Sequence, residues 1–244
     1  MRTIGIIGGM SAESTAHYYD RLNSEVRRRL GGLHSAETVI WSVDFAQIAA
    51  MQTTGDWRQA GLRLADVAKR LEQAGADVLL LATNTMHKVA DAIEAAVSIP
   101  LIHIADATGQ SIRAAGLKRP GLMATRYTME QEFYVGRLCE KHGLDVVIPE
   151  VEARADIHRI IYDELCKGVV SGASRARYVA YAEALVAAGA DSLILGCTEI
   201  GMLLDQSRVS VPVFDTTLIH ADAAVDFALA GAASQQGLHA QAAE

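Results

Sequence analysis

Cysteine is scarce in this sequence, and the few residues present do not form a metal-binding pattern. Cys139, Cys166 and Cys197 are an odd number of thiols without the close spacing of a zinc site. We therefore expect free thiols in a reducing, cytoplasmic setting, and no metal site.

Long apolar runs and an excess of positive charge are also missing. No stretch approaches the roughly 18 apolar residues of a membrane-spanning helix, and the amino-terminal MRTIGIIGG lacks a signal-peptide pattern. Lysine and arginine number 22 against 29 aspartate and glutamate residues, a net charge of −7. This balance argues against general binding of nucleic acid or of an anionic membrane surface. An anionic small-molecule substrate remains compatible, because local groups in a pocket can override the net charge.

The common motifs of nucleotide-binding and hydrolytic enzymes do not occur either. Gly5, Gly8 and Gly9 follow an apolar run, but their spacing is not G-x-G-x-x-G, so the sequence predicts no dinucleotide cofactor. We find no P-loop and no Ser-His-Asp order. Half of the residues are hydrophobic and 21% are charged, a composition typical of a globular protein with an ample core.

What the sequence does contain is one stretch that occurs twice. Residues 74–83 read AGADVLLLAT and residues 188–197 read AGADSLILGC, with six of ten positions identical at an offset of 114. This period is too long for a solenoid, so it predicts two similar half-chains. Each copy combines the end of a helix, a glycine turn and a short buried strand.

Short apolar runs alternate with helical stretches along the whole chain, which predicts parallel sheets with helical crossovers. The predicted strands are residues 3–7, 37–44, 77–82, 101–105, 121–124, 144–149, 191–196 and 211–215. The predicted helices are residues 12–30, 57–73, 86–97, 129–142, 155–167, 172–187 and 218–230. Ser11 is well suited to cap the first of these helices.

The expected fold class is therefore α/β, with two pseudo-symmetric halves, each a parallel-type sheet flanked by helices, and an active site in the cleft between them. Residues 1–104 are the first predicted half, and the segment 214–230 is a candidate to pack on it. Residues 105–213 are the second half. The remaining residues 231–244 are expected to form a flexible tail.

Each copy of the repeat ends on a small nucleophilic side chain, Thr83 in the first and Cys197 in the second. Ligands of parallel α/β sheets collect at the carboxyl ends of strands. A thiol placed there, before the first turn of a helix, can have a lowered pKa and act as a thiolate. An inert buried cysteine is the alternative, and we favour it for Cys139 and Cys166, which fall inside predicted helices.

Polar residues follow both strand ends. Asn84, Thr85 and Thr198 offer neutral hydrogen bonds to a carboxylate or an ammonium group, or they cap the next helix. Glu199 either orients the thiol, binds a substrate amine or sits in a first helical turn. His87 is either a partner of this site or an ordinary helix histidine.

With these residues in place, the sequence resembles the aspartate/glutamate racemase family. The resemblance covers about residues 3–230, and three motifs carry it: Gly8-Gly9-Met10-Ser11-Ala12-Glu13-Ser14-Thr15, Thr83-Asn84-Thr85-Met86-His87 and Gly196-Cys197-Thr198-Glu199. It implies a cofactor-independent amino-acid racemase, usually a homodimer, whose substrate is a small acidic amino acid. Two cysteines in that family act on opposite faces of the substrate, one removing the α-proton and the other returning one.

The sequence departs from the family at the first of these cysteines, which is Thr83 here. It resembles a branch with a threonine/cysteine pair, in which Cys197 handles the L-enantiomer. A thiol can be tuned to a thiolate near neutral pH, whereas a threonine hydroxyl cannot be deprotonated appreciably there. The two bases are therefore expected to be unequal.

The resemblance also implies a set of substrate-binding residues. Lys167 looks like the lysine that the family directs at the side-chain carboxylate, and a solvated helix-end lysine is the alternative. The full set of candidate substrate-binding residues is Met10, Ser11, Gln52, Asn84, Thr85, Thr125, Thr128, Lys167, Thr198 and Glu199.

Two other classes of function stay open at this point. One is a related enzyme of the superfamily, namely a maleate isomerase, a hydantoin racemase or a one-cysteine decarboxylase. The other is a non-enzymatic protein that binds acidic amino acids. Gln52 and Lys167 suit a substrate with a second carboxylate, which favours the amino-acid racemase over a decarboxylase.

Overall fold

The computed structural model describes residues 1–230, and within them the chain forms two units. One unit contains Met1–Ala82, Val89–His103 and, among the described residues, 220–230. The other contains Thr83–Lys88 and Ile104–Ile219. The tail expected at residues 231–244 lies outside the described residues.

Each unit is built on one parallel sheet. The strands are β1 (Ile4–Gly8), β2 (Thr38–Ser42), β3 (Val78–Leu81), β4 (Leu101–Ile102), β5 (Pro120–Ala124), β6 (Ser192–Gly196) and β7 (Val213–Asp215). The first sheet has the order β2-β1-β3-β4 and the second the order β5-β6-β7, with parallel pairing throughout. Both sheets are flanked by helices, so the predicted α/β class is confirmed.

Ten α-helices connect these strands in the described part of the chain. They are α1 (Ala12–Leu30), α2 (Phe45–Thr54), α3 (Trp57–Gln73), α4 (Ala90–Glu94), α5 (Ile104–Ala114), α6 (Arg126–Glu130), α7 (Val135–His142), α8 (Val151–Asp163), α9 (Gly172–Ala187) and α10 (Thr216–Leu229). Short 3₁₀ turns lie at Thr85–Val89, Leu165–Lys167, Ile200–Met202 and Gln206–Arg208. Within residues 1–230, no helix is both long and apolar enough to cross a membrane.

The turn between β1 and α1 follows from local chemistry. The Ser11 hydroxyl accepts a hydrogen bond of 3.1 Å from the Ser14 amide, which satisfies one of the free amides at the start of α1. Gly9 has φ +88°, and a Cβ there would lie 2.2 Å from the Val43 carbonyl oxygen. A glycine is therefore required where the chain leaves the sheet.

Each unit has its own apolar core. In the first unit, strands β1 and β3 pack against α1 and the later part of α10 through fully buried side chains such as Leu22, Leu80 and Val225. In the second unit, β5 and β6 pack against α8 and α9 through Leu122, Ile161 and others. These cores fix the strand ends from which the candidate site residues project.

Several predicted elements differ from the structure at their boundaries. The helix predicted at 86–97 is a 3₁₀ turn, Thr85–Val89, followed by the short α4, which ends at Glu94. Beyond α4, the Ser98 amide donates to the Glu72 carboxylate at 2.7 Å, so the chain there is bound to α3 and does not continue the helix. The helix predicted at 129–142 is split into α6 and α7. The segment between them contains Tyr134, whose side chain is fully buried.

The predicted strand at 144–149 is reduced to one bridge between Gly121 and Val147. Pro149 follows closely, and because it has no amide proton it cannot extend the ladder. The prediction also missed α2 and α5. Only Ile48 and Gln52 of α2 are buried, so the helix shows little apolar periodicity.

Candidate active site

Cys197 follows β6 directly and lies in a buried environment. Its side chain is 9% exposed, and its Sγ donates a hydrogen bond of 3.0 Å to Glu199 Oε2. The Thr198 hydroxyl donates to the same carboxylate oxygen at 2.6 Å. Glu199 is itself only 2% exposed, so this carboxylate is held next to the thiol and away from solvent.

The pKa of the Cys197 thiol is raised well above its ordinary value, which corrects the expectation of a lowered pKa. Burial is the main cause, and the negative charge of Glu199 adds to it. The expectation relied on a helix beginning after the cysteine, but Ile200–Met202 is a single 3₁₀ turn. One turn contributes little helix dipole to stabilise a thiolate.

Further side chains around the thiol were not identified from the sequence. Cys166 places its Sγ 3.9 Å from Glu199 Oε1, on the other oxygen of the same carboxylate. Tyr162 and Tyr178 have raised pKa values, mainly through burial, with the negative charge of a Cys197 thiolate as a further cause. The sequence predicts Cys166 inside a helix, which gives no reason to place it near the repeat.

Thr83 is the first residue of the short segment Thr83–Lys88, which belongs to the second unit, and it is 8% exposed. Its carbonyl oxygen is 2.8 Å from His87 Nδ1. His87 Nε2 accepts a hydrogen bond of 3.2 Å from the backbone amide of Ile104. His87 therefore contacts the backbone of Thr83 directly, which favours the interpretation of this histidine as a partner of the site.

Asn84 is connected through Thr216 to β6, the strand that ends just before Cys197. Asn84 Nδ2 donates a hydrogen bond of 3.0 Å to Thr216 Oγ1, and Thr216 Oγ1 donates one of 2.8 Å to the Leu195 carbonyl. The Thr216 hydroxyl proton is used on Leu195, so the amide nitrogen of Asn84 must be the group that faces Thr216. Asn84 Oδ1 is left buried without a hydrogen-bond partner among the described residues.

Thr216 was not among the predicted site residues. It comes directly after β7, just as Cys197 comes directly after β6 of the same sheet. The rule that drew attention to Cys197 could therefore have found it.

Three threonines predicted as substrate-binding residues meet in one cluster. Thr85 Oγ1 is 2.8 Å from Thr125 Oγ1 and 3.2 Å from Thr128 Oγ1, and the last two are 3.2 Å apart. All three side chains are buried. Thr125 also caps α6, so it combines a structural role with its position in the cluster.

The remaining predicted residues are in both units. Met10, Ser11 and Gln52 belong to the first unit and are 5%, 2% and 4% exposed, respectively. Lys167 ends the 3₁₀ turn after α8, and its side chain is 63% exposed and 3.9 Å from the carboxylate of Asp163. Such an exposed ion pair fixes the lysine weakly. No cluster of three or more metal-binding side chains occurs among residues 1–230.

Comparison with known proteins shows what most of the described chain is similar to. A model of the Asp/Glu/hydantoin racemase family matches residues 7–224. A broad specificity amino-acid racemase, RacX of Bacillus subtilis strain 168, is 23% identical over 93% of this chain and 98% of its own length.

Two solved structures have closely similar folds. A Yersinia pestis protein assigned to the Asp/Glu racemases is 52% identical with a TM-score of 0.88, covering 94% of this chain and 100% of that one. PH1733, an aspartate racemase homologue from Pyrococcus horikoshii OT3, is 34% identical with a TM-score of 0.81, covering 93% and 99% of the two chains.

Proposed function

The chain belongs to the Asp/Glu/hydantoin racemase family, and we propose that it interconverts the L- and D-forms of aspartate and glutamate without a cofactor. Cys197 removes the α-proton of the L-enantiomer, and Thr83 serves the opposite face. The observation that carries this proposal is the 3.0 Å hydrogen bond from the Cys197 thiol to the buried Glu199 carboxylate. A thiol in such a pair has a base within reach that can take its proton.

The raised pKa of Cys197 keeps the ligand-free enzyme in the thiol form. An amino-acid substrate carries an ammonium group, and a positive charge near the thiol favours the thiolate. The proton then passes from Cys197 Sγ to Glu199, and the thiolate removes the α-proton of the substrate. In this account the reactive base forms only when the substrate is bound.

Asn84 is the best candidate to receive the substrate ammonium. Its Oδ1 is a buried acceptor without a hydrogen-bond partner among residues 1–230, and leaving such an acceptor unpaired costs about 1–3 kcal/mol. An ammonium proton would recover that cost. The hydroxyls of Thr85 and Thr198 are suited to the α-carboxylate, and the Thr125 and Thr128 hydroxyls support Thr85.

The two faces of the substrate are unequal in this account. After Cys197 has removed the α-proton, the carbanion is either reprotonated by the same thiol or receives a proton on the Thr83 side. The first path exchanges the proton without inversion, and the second gives the D-enantiomer. Because a threonine hydroxyl is a weak acid, exchange should be faster than inversion.

The side-chain carboxylate of the substrate is assigned to Lys167, and Gln52, Met10 and Ser11 remain candidate substrate-binding residues of the first unit. The weak ion pair of Lys167 with Asp163 leaves this lysine able to change partners when an acidic substrate arrives. A Lys167→Ala variant should raise KM for aspartate and glutamate more than it lowers kcat.

Proton exchange tests this proposal directly. The protein is incubated in D₂O with L-aspartate or L-glutamate, and loss of the α-proton signal is followed by NMR. Wild-type protein and the Cys139→Ala control, which removes an exposed thiol, should exchange the proton, and Cys197→Ala should not. Exchange that survives in Cys197→Ala would refute the assignment of the base. Activity should persist after exhaustive chelation and without pyridoxal phosphate, and a requirement for either would contradict the cofactor-independent reaction.

A further inference from the structure

The segment Thr83–Lys88 belongs to the second unit, although the chain directly before and after it belongs to the first. Its side chains connect it to different elements: Asn84 binds Thr216, Thr85 binds Thr125, and Lys88 donates to Gln131. His87 is the member of this set that bonds Thr83 itself.

The hydrogen bonds of His87 define its protonation state. The Ile104 backbone amide can only donate, so the Nε2 atom that it faces must be unprotonated. The Thr83 carbonyl can only accept, so the Nδ1 atom that it faces must carry the proton. Both requirements are met by one form of the ring, the neutral Nδ1–H tautomer. The ring is 3% exposed, so water does not compete readily for either bond.

The two bonds join two places that are distant in sequence. Ile104 is the first residue of α5 and of the long segment of the second unit, and Thr83 is the first residue of the short one. The rigid imidazole therefore fixes the Thr83 backbone relative to the start of α5. A shift of the backbone at Thr83 would move its hydroxyl by a similar distance.

We propose that His87 is a positioning residue for the Thr83 half of the reaction: it holds the Thr83 carbonyl through Nδ1–H and is itself held by the Ile104 amide. The role rests on the proposed function, in which Thr83 supplies the proton on the D-face. It is selective, because Cys197 has a different partner: its thiol donates to Glu199, which also accepts from Thr198. Loss of His87 should therefore impair inversion more than exchange of the L-substrate.

Two substitutions separate this role from general stabilisation. The amide nitrogen of His87→Asn lies the same number of bonds from Cα as Nδ1, so it can keep the donor to Thr83. His87→Ala removes both bonds. A matched control is His142→Ala, which removes another buried histidine of the second unit, one that is bound to Asp106.

The kinetic test uses L-aspartate in D₂O, with α-proton exchange and formation of the D-enantiomer measured in the same sample. A displacement of a reacting group by about 1 Å can cost about 10²-fold in rate. We expect a loss of inversion of that order in His87→Ala, a smaller loss of exchange, and partial recovery of inversion in His87→Asn. His142→Ala should not change the ratio of inversion to exchange. Equal losses of both rates in His87→Ala, or no recovery in His87→Asn, would overturn the proposal.

The tautomer gives a second test that needs no variant. The ring nitrogens of His87 in ¹⁵N-histidine-labelled wild-type protein should have the NMR shifts of a neutral Nδ1–H ring, and an Nε2–H or a doubly protonated ring would overturn the proposal. This result decides the matter if His87→Ala does not fold. It also separates the two hypotheses: wild-type protein that exchanges neither enantiomer refutes the proposed function, whereas the tautomer measures the His87 bonds independently.

Discussion

Cys197 and Glu199 form a buried pair in which the thiol donates to the carboxylate over 3.0 Å. The pair has opposite effects in the free enzyme and in the proposed reaction. In the free enzyme, the negative charge of Glu199 adds to burial in raising the pKa of the thiol. In the proposed reaction, the same carboxylate is the acceptor for the thiol proton. The proposal thus gives Glu199 two roles: it favours the protonated cysteine at rest and offers it a base when substrate is bound.

Glu199→Gln separates these two effects. Removing the negative charge favours the thiolate, so the pKa of Cys197 should fall and alkylation by iodoacetamide should begin at a lower pH than in wild type. Racemisation should nevertheless drop, by about 10²–10⁴-fold if the carboxylate acts as a general base. Mass spectrometry of the Cys197 peptide gives the alkylation profile. The exposed Cys139 in the same sample is the control and should be unaffected.

Alkylation of Cys197 that begins at a higher pH in Glu199→Gln would contradict the electrostatic explanation. Unchanged racemisation would exclude Glu199 as the acceptor of the proton. In wild type we also expect Cys139 to be alkylated before Cys197 near neutral pH, because the first thiol is exposed while the second is buried and has a raised pKa.

Thr216→Val should destabilise the protein measurably. The substitution keeps the shape of the side chain but removes the hydroxyl that accepts from Asn84 and donates to Leu195. Two buried polar groups then lose their partner, and the expected cost is about 1–3 kcal/mol in the free energy of unfolding. Urea unfolding followed by circular dichroism measures it.

The neighbouring Thr217 provides the matched control for this experiment. Its hydroxyl is buried, but it has no hydrogen-bond partner in the part of the chain that the structure describes. Thr217→Val should therefore be neutral or slightly stabilising. If the two variants unfold at the same urea concentration, the Asn84–Thr216–Leu195 connection does not stabilise the fold.

The acid stability of the first unit should depend on Glu25. Hydrogen bonds from Arg28 are the largest cause that lowers the pKa of this 3%-exposed carboxyl to about 2, and those from Arg29 add to it. Because the pKa is lower in the folded than in the unfolded chain, the stabilisation is complete above the ordinary value of 4.5 and is lost as the pH falls toward about 2. Arg28 is largely exposed, so solvent screening limits the contribution to about 1–2 kcal/mol.

Glu25→Gln should accordingly lower the free energy of unfolding at pH 7, and the difference from wild type should shrink as the pH falls toward 2. Unfolding in urea at a series of pH values measures this. Glu183→Gln, at an exposed position of α9, should change stability by less than about 0.5 kcal/mol at every pH. A Glu25→Gln difference that does not vary with pH would show that the ion pairs are not its cause.

Much of the fold could be predicted because local chemistry and periodicity agree. The helix predicted at 12–30 is α1, since the Ser11 cap and the apolar face of the helix both mark it. The chain 101–105, in contrast, is an apolar run that periodicity cannot assign. Only Leu101–Ile102 is a strand, and Ile104 already begins α5.

The candidate site could be predicted only where residues follow a strand in sequence. Cys197, Thr198 and Glu199 do so, and the structure joins them by hydrogen bonds. Thr216 also follows a strand, β7, and the same rule finds it, whereas Cys166 reaches Glu199 from a distant part of the chain, which no local pattern reveals. The direction of the Cys197 pKa shift was missed for a similar reason, because it depends on burial and on the rotamer of Glu199.

The proposed unequal pair of Thr83 and Cys197 is tested most directly by comparing α-proton exchange and inversion in Thr83→Ala and Cys197→Ala. L-Aspartate in D₂O is followed by NMR for α-proton loss and by chiral chromatography for the D-enantiomer. Thr83→Ala should keep much of the exchange and lose inversion, and Cys197→Ala should lose both. In wild type, the L-substrate should gain deuterium faster than D-product appears. Inversion that survives in Thr83→Ala, or equal exchange of L- and D-aspartate by wild type, would contradict the unequal pair.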